Sequence, residues 1–445
     1  MSERIRERVK SAYLNLNEEQ REAIDLVLEE PIQGENVILP IIDGPPGTGK
    51  TRTATGAAAY YFLQDPKSNK VLYICPTNVS ADVAKKMLEE LWGFPPYYVV
   101  RLVPKPAMKD WDRGVIGCEW TLEDLSFQDI LKLREVPFII CTPYMLGRMK
   151  RISRATRKII IDEFSQIDAP TFFMILNTSK EINPDGVGLF GDPLQLPVVT
   201  TQEELRQNVV RHIELLRGIN VHSLKKQYRM HKSICSAVNN MRKRISPYIQ
   251  KDLVPAENVE SRGMIELGWK WNPPKDEKIK EILNPSNPLV IYNTDKLGFE
   301  KRSPTGSVFN EGEAELAVEL ANAAYKSYTK GNENLRPTIL SPYTAQVNLI
   351  KEKLKGTPLE ENVKTVYSAQ GNEYPFVIVS FVRNNPKGEI GFLDMPMLEG
   401  HGYVAISRAQ GKLIVLLSKS TFLSTHPIFE AFKDVQEEGC LKVYW

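Results

Sequence analysis

The chain has 445 residues, too many for one compact core and enough for two α/β domains. Its 42% hydrophobic and 25% charged content is that of an ordinary globular protein, and 57 basic against 55 acidic residues leave a net charge of +2, so any nucleic-acid binding must come from local patches. No apolar run approaches the roughly 18–20 residues needed to span a bilayer, Met1 to Lys10 lacks an apolar signal region, and the cysteines Cys75, Cys118, Cys141, Cys235 and Cys440 form no C-x-x-C pair, which excludes an obvious zinc module or disulfide framework.

Leu14 to Gln20 opens a predicted helix. Asn17 is a candidate N-cap with Gln20 three residues on, the spacing of a capping box. Gln20 is therefore readable as a cap, and equally as an amide that reads donor and acceptor on adenine. Val37 to Ile42 reads as a buried strand and Arg52 to Leu63 as a helix. Between them lies Gly44-Pro45-Pro46-Gly47-Thr48-Gly49-Lys50-Thr51. Strand, glycine loop and helix in that order are the context of a P-loop. Glycines let backbone N–H groups approach a triphosphate, and the helix adds the positive end of its dipole. Lys50 supplies charge for the β- and γ-phosphates, and Thr51 a hydroxyl for Mg²⁺.

Val71 to Cys75 is a second predicted strand, leading through Pro76-Thr77-Asn78-Val79-Ser80 into a helix over Ala81 to Leu91. Thr77, Asn78 and Ser80 sit where ligands bind in open α/β sheets, and equally where helix caps sit. Trp92 to Val136, with four prolines and the further tryptophans Trp111 and Trp120, reads as an irregular insertion. Phe138 to Cys141 resumes the sheet, followed by Thr142-Pro143. Arg148, Lys150, Arg151, Arg154, Arg157 and Lys158 then form the densest basic cluster, either a solvated face or a phosphate contact. Ile159-Ile160-Ile161-Asp162-Glu163 is a strand ending in two carboxylates. Downstream of a P-loop, such acids hold Mg²⁺ and activate the attacking water. Val187 to Pro197 is a further strand, with Gln195 placed to report a γ-phosphate. The first domain is expected to close near residue 200.

Beyond the Gln202 to Asn220 link comes Gln227-Tyr228-Arg229-Met230-His231, and then a second α/β pattern. Its predicted strands are Pro288 to Tyr292, Thr338 to Ser341, Val363 to Val366, Phe376 to Phe381 and Lys412 to Leu417. Asn310 to Ser327 and Ala345 to Lys355 are the predicted helices between them.

Taken together, these motifs resemble those of superfamily 1 helicases, in the branch of the nonsense-mediated-decay RNA helicase. The resemblance covers Leu14 to Leu417 and rests on the order of Leu14–Gln20, Gly44–Thr51, Cys75–Asn78, Asp162-Glu163, Gly191–Pro197, Gln227–His231, Ser341–Tyr343, Val366–Glu373 and Val404–Ala409. It implies an α/β fold of two RecA-like P-loop NTPase domains in tandem, 1–200 and 201–445, with parallel sheets and ATP in the cleft between them. ATP and Mg²⁺ are the implied cofactors. The implied catalytic residues are Lys50, Glu163, Gln195, Arg229 and Arg408. Gln20, Gly44, Pro45, Pro46, Gly47, Thr48, Gly49, Lys50, Thr51, Arg52, Tyr228, Gly371 and Glu373 would hold ATP, and Thr51 and Asp162 the metal. Thr77, Asn78, Thr142, Pro342, Tyr343, Thr365 and Ser368 would contact single-stranded RNA or DNA, with movement 5′ to 3′.

The chain departs from the family pattern at Lys232, where proline is usual, at Tyr367, where an acid is usual, and at Ser407, where threonine is commoner. The early start of the first motif leaves no room for an upstream β-barrel, and the resemblance includes no cysteine-rich domain. A minimal, monomeric, intracellular motor is expected, cytoplasmic or, in a eukaryote, nuclear, without membrane or zinc. A ring-forming protein-remodelling ATPase would account for the P-loop and Asp162-Glu163 but not for Val404 to Arg408. An ATP-gated clamp that does not unwind would use the same residues.

Overall fold

Apolar, β-branched runs separated by helices build two wholly parallel sheets, whose central strands are buried on both faces. The computed structural model describes residues 2–29, 40–103, 127–148, 157–182, 186–197, 221–246, 252–395, 398–423, 426–435 and 439–444. Residues 37–39 of the first predicted strand, Trp111 and Trp120, Lys150 to Arg154 and the 202–220 link lie outside them. By contacts the chain divides into Met1–Pro193 with Pro197–Lys225, and Leu194–Leu196 with Lys226–Trp445.

In the first unit the strands are β1 (Ile41–Asp43), β2 (Val71–Ile74), β3 (Val99–Arg101), β4 (Phe138–Cys141), β5 (Lys158–Asp162), β6 (Gly186–Gly191) and β7 (Val221–Ser223). Their order is β3-β4-β2-β5-β6-β1-β7, with every pairing parallel. All carboxyl ends therefore share one edge. The P-loop follows β1, Asp192 follows β6 and Glu163 follows β5, so these three loops are neighbours. The loops after β2 and β4, carrying Thr77 and Thr142, lie further along the same edge.

The helices α1 (Glu3–Leu14), α2 (Glu18–Leu28), α3 (Lys50–Gln64) and α4 (Asn78–Lys86) flank this sheet. Small residues let α3 pack closely: Ala54, Ala57, Ala58 and Ala59 are fully buried. At Gly56 a Cβ would stand 2.8 Å from Trp92 Cζ2. Trp92 is itself fully buried, and its indole N–H donates to Thr55 Oγ1 at 3.0 Å. It thus belongs to the main core and not to an accessory element.

Three sequence expectations change here. Part of the stretch read as irregular is edge strand β3, whose Val99 and Val100 pair beside β4, and α5 (Phe127–Glu135) leads into β4. The helix expected over Ala81 to Leu91 starts at Asn78 and ends in a π turn, Met87–Leu91. Lys158 leaves the basic cluster: its buried ammonium donates to Val27 O at 3.0 Å and lies 5.1 Å from the Tyr61 ring centroid.

The second unit is built on β8 (Leu289–Asn293), β9 (Thr338–Ser341), β10 (Val363–Thr365), β11 (Tyr374–Ser380), β12 (Ala409–Leu417) and β13 (Cys440–Val443). They run parallel in the order β10-β9-β11-β12-β8-β13. Strand β13 was not foreseen, because four residues near the chain end carry too little periodicity to read. The expected helices appear as Glu311–Ser327, capped by Asn310, and Thr344–Lys353.

Beneath the carboxyl edge of this sheet, Glu313 is fully buried. One carboxylate oxygen accepts from Ser380 Oγ at 2.7 Å and Val382 N at 2.8 Å, the other from Thr294 Oγ1 at 3.1 Å. The network holds Val382 in the left-handed region (φ 72), a costly conformation for a β-branched residue. Burial pushes the Glu313 carboxyl up to about 7, against the lowering effect of the three donors. A carboxyl raised in the fold stabilises it when protonated. That contribution is complete below the unfolded value of 4.5 and is lost as pH rises to about 7. Replacing Glu313 by Gln keeps the shape and removes the titration. The wild-type-minus-variant difference in unfolding free energy should therefore drift by roughly 3 kcal/mol between these pH values and stay flat above them. Thermal unfolding of both proteins across pH 4.5–8 checks this, and a difference independent of pH would refute it.

Candidate nucleotide site and nucleic-acid edge

Internal hydrogen bonds pin the P-loop. Gly44 N donates to Gly191 O at 2.8 Å, tying the loop to β6. Thr48 Oγ1 donates to Pro45 O at 2.7 Å, closing the loop on itself. Gly47 and Gly49 turn it through positive φ (83 and 79). Of the two readings the sequence left open for Gln20, the structure shows the cap. Its amide oxygen accepts from Asn17 N at 3.1 Å, completing the capping box, and its amide N–H donates to Thr48 O at 2.9 Å. The residue is buried and joins the start of α2 to the phosphate loop.

Lys50 follows at the start of α3. Its ammonium is 6% exposed and meets Glu163 Oε2 at 2.8 Å. Burial pushes the ammonium's pKa down, but Glu163, Asp162 and Asp192 together offset that and leave it raised. Asp162 is fully buried. It accepts from Tyr73 OH at 2.9 Å and Glu163 N at 2.9 Å, and Thr51 also bonds its side chain. Its carboxyl is raised, by burial first and by the Glu163 charge second. Glu163 stands in the left-handed region (φ 52), a strained conformation for this residue type, and its carboxylate also accepts from Gln166 Nε2 at 3.2 Å. A hydroxyl and a carboxylate side by side are the hard oxygen donors that Mg²⁺ takes alongside phosphate oxygens, so Thr51 and Asp162 fit that ion. Arg52 lies one residue further along α3.

On the β2 and β4 side of the edge, Thr77 caps α4 in a reciprocal box with Ser80 and is exposed. Asn78 is exposed too. Its amide oxygen accepts from Arg101 Nη2 at 3.0 Å, and Arg101 is ion-paired to Asp82. Thr142 is buried at the end of β4.

In the second unit, Gln227 closes a tight turn. Its amide oxygen accepts from Arg229 N at 2.8 Å and Met230 N at 2.7 Å, and its N–H donates to Met230 O at 2.7 Å. This turn presents Tyr228, half-exposed, and Arg229. Arg262 Nη2 fixes the turn by donating to the Tyr228 and Arg229 carbonyls at 3.0 and 2.7 Å. Arg229 Nε meets Glu373 Oε2 at 2.7 Å, and Arg229 Nη1 donates to Ser407 O at 3.1 Å. Burial raises the Glu373 carboxyl pKa, but Arg229, with Gln410, offsets this and holds it below the usual range. Gly371 adopts φ 81 in the turn before it. Arg408 is buried, donating to Val404 O at 3.0 Å, Asn372 O at 3.3 Å and Ser407 Oγ at 3.0 Å. Ser407, despite replacing threonine, keeps the hydroxyl that this arginine uses. Gln195 is buried and belongs by contacts to this unit.

Glu373 and Arg408 immediately precede β11 and β12, at the amino ends of the strands. Pro342 and Tyr343 follow β9, and Thr365 ends β10, at the carboxyl ends, in register as Ser341 opposite Thr365. Thr365 and Ser368 reproduce the hydroxyl pairing of Thr77 and Ser80: the serine N donates to the threonine Oγ1 at 3.2 and 3.1 Å respectively. Tyr343 is buried, with its hydroxyl donating to Ile390 O at 3.3 Å, so its ring is part of the core.

Three contributors to the site were given no role in the sequence reading: Tyr73, which holds Asp162; Asp192, which charges the Lys50 pocket; and Arg101, which orients Asn78. Tyr73 and Arg101 sit inside otherwise apolar strands, and an isolated polar residue there was the signal. Among the described residues no group of three or more His, Cys, Asp or Glu side chains could hold a metal by itself, and no helix is long and apolar enough to cross a membrane.

Residues 15–266 match a family profile described as an AAA domain, and residues 205–420 match a second profile of the same description. The first spans more than half of the chain, which belongs to this P-loop ATPase family and, within it, to the superfamily 1, Upf-like helicases. The human DNA replication ATP-dependent helicase/nuclease DNA2 is 28% identical over 414 residues, covering 90% of this chain and 37% of that protein. Regulator of nonsense transcripts 1 of Caenorhabditis elegans is 27% identical, covering 93% and 39%. DNA polymerase alpha-associated DNA helicase A of Saccharomyces cerevisiae is 26% identical, covering 90% and 65%. The chain thus spans less than two thirds of the length of these relatives. Among solved structures, the DUF1998 helicase MrfA bound to DNA is similar at a TM-score of 0.49 and 15% identity, over 98% of this chain and 52% of that one.

The double use of Gln20 is testable without ligand. Gln20→Glu keeps the cap acceptor but sets a carboxylate against the Thr48 carbonyl, and Gln20→Ala removes both bonds. Each should lower unfolding free energy by about 1–3 kcal/mol. If Gln20→Glu is as stable as wild type in thermal unfolding, the tie to the P-loop contributes nothing.

Proposed function

We propose that the chain is an ATP-dependent helicase or translocase acting on single-stranded RNA or DNA. The observation that carries this reading is the cluster of Lys50, Thr51, Asp162 and Glu163 on one sheet edge, with exposed hydroxyl and amide groups further along it. Mg²⁺ held by Thr51 and Asp162 would screen the phosphates and polarise the γ-phosphoryl group. The P-loop N–H groups and Lys50 hold the triphosphate. Glu163 takes a proton from water as its oxygen bonds to the γ-phosphorus, and the bond to the bridging oxygen breaks with its electron pair leaving on ADP.

To Arg229 and Arg408 we assign neutralisation of charge developing on the γ-phosphate, and to Gln195 sensing of that group. Tyr228 stacks on adenine and Gln20 reads its edge, while Gly371 and Glu373 lie toward the ribose and phosphates. Thr77, Asn78, Thr142, Pro342, Tyr343, Thr365 and Ser368 follow the strand, Tyr343 through its backbone. Mostly backbone contacts give little sequence preference and strong salt dependence. Translocation 5′ to 3′ by an intracellular monomer completes the proposal. Domain limits of 1–200 and 201–445 are part of it.

Lys50→Ala should abolish ATP turnover. Glu163→Gln should stop hydrolysis while leaving ATP binding nearly intact; loss of binding instead would remove Glu163 as the base. Steady-state turnover and nucleotide titration separate these outcomes. ATPase stimulation by single-stranded RNA and DNA at matched salt, with unwinding of a tailed duplex, distinguishes helicase, translocase and clamp.

A further inference from the structure

Among the described residues, the most exposed large apolar side chain is Tyr144, at 81%. It stands in the turn Pro143–Arg148, directly after β4. The turn itself is anchored. Pro143 before it and Met145 and Leu146 after it are buried, and Met145 N donates to Thr142 O at 3.0 Å. An exposed aromatic on an anchored turn is a rigid platform, and binding to it immobilises little that was free.

Its surroundings point to the kind of ligand. Cys75 N donates to Cys141 O at 3.0 Å, which places the loop after β2 beside the loop after β4. That neighbouring loop presents the exposed Thr77 and Asn78. Arg101 occupies the amide oxygen of Asn78 at 3.0 Å, so the Asn78 N–H₂ is the end left to face outward. Arg101 is in turn held by Asp82. The edge therefore offers hydrogen-bond donors, suited to phosphate oxygens, next to an aromatic face, suited to a base. Neither signal depends on the other: one is exposure on an anchored turn, the other is the orientation of an amide.

We propose that Tyr144 is a base-stacking platform for a nucleotide of the single strand, with Asn78, oriented by Arg101, donating to the adjoining phosphate. The proposal rests on the nucleic-acid reading given above and adds to it a contact with a base. A strand bound through its backbone alone would be indifferent to removal of its bases. A strand stacked on Tyr144 is not.

The test compares a labelled single-stranded oligonucleotide with an abasic strand of equal length and phosphate number, by fluorescence anisotropy at matched salt. Wild type should prefer the base-bearing strand. Tyr144→Ala should lose about 5- to 150-fold in affinity for it, the range of one base–aromatic stack, and bind the abasic strand as wild type does. Tyr144→Phe should retain the preference and Tyr144→Leu should lose it, although both keep a large apolar side chain at the position. The slope of affinity against salt should be unchanged in all three variants, because no phosphate contact is lost. Equal weakening of both strands by Tyr144→Ala, or no change in either, overturns the stacking role while leaving nucleic-acid binding in place. If wild type binds neither strand, the nucleic-acid reading fails with it.

Discussion

A buried ammonium requires compensating partners, and Lys50, whose partners are charged, is the group on which the first unit turns. Taking an ion out of water costs several kcal/mol, recovered only with well-placed opposite charge. Here the opposite charge comes from three carboxylates at the ends of two strands: Asp162, which ends β5, Glu163 just after it, and Asp192 after β6. For them to surround Lys50, β5, β6 and β1 must be consecutive neighbours, parallel and in register, as they are. The order of the sheet and the strain at Glu163 are then two consequences of one electrostatic requirement.

The second unit answers a related requirement with different edges. Its cationic groups, Arg229 and Arg408, cluster with Glu373 at the amino ends of β11 and β12. Its hydroxyl pair Thr365 and Ser368 stands at the carboxyl end of β10. Because parallel strands put all like ends together, one sheet separates the two groups by the length of its strands, roughly 3.3 Å per residue. Such a sheet is suited to coupling two ligands without letting their charges mix. Thr77 with Ser80, and Thr365 with Ser368, repeat the same hydroxyl geometry at the carboxyl edges of the two units.

Much of this was legible in the sequence, for identifiable reasons. Ile159-Ile160-Ile161 could hardly be anything but a doubly covered strand, and a glycine loop between strand and helix has few structural uses. The parallel α/β class followed from alternation alone. What stayed hidden depended on distant partners. Lys158 looked like part of a basic face because sequence shows neighbours, not the Val27 carbonyl it reaches across the fold. Trp92 looked accessory because nothing local marks Gly56 as its seat. Gln20 offered two readings because one amide can serve both, and its tie to Thr48 O spans 28 residues. The resemblance assigned Arg408 a role, but its burial against Val404, Asn372 and Ser407 could not be read from the sequence.

These parked cations bear on how the proposed chemistry would be timed. Lys50 and Arg229 each hold a carboxylate, at 2.8 and 2.7 Å. A triphosphate brings more negative charge than a carboxylate, so within the first unit it would compete for Lys50 by exchange and need not create a new charged site. Exchange limits the cost of desolvation on binding, since the Lys50 ammonium is already out of water. It also has a chemical effect. While Glu163 is paired with Lys50, its Oε2 accepts from the ammonium and from Gln166; once phosphate oxygens take the ammonium, that oxygen would lose its charged donor and become more basic beside the place where water would attack. On this reading ATP binding would strengthen the base that acts on it.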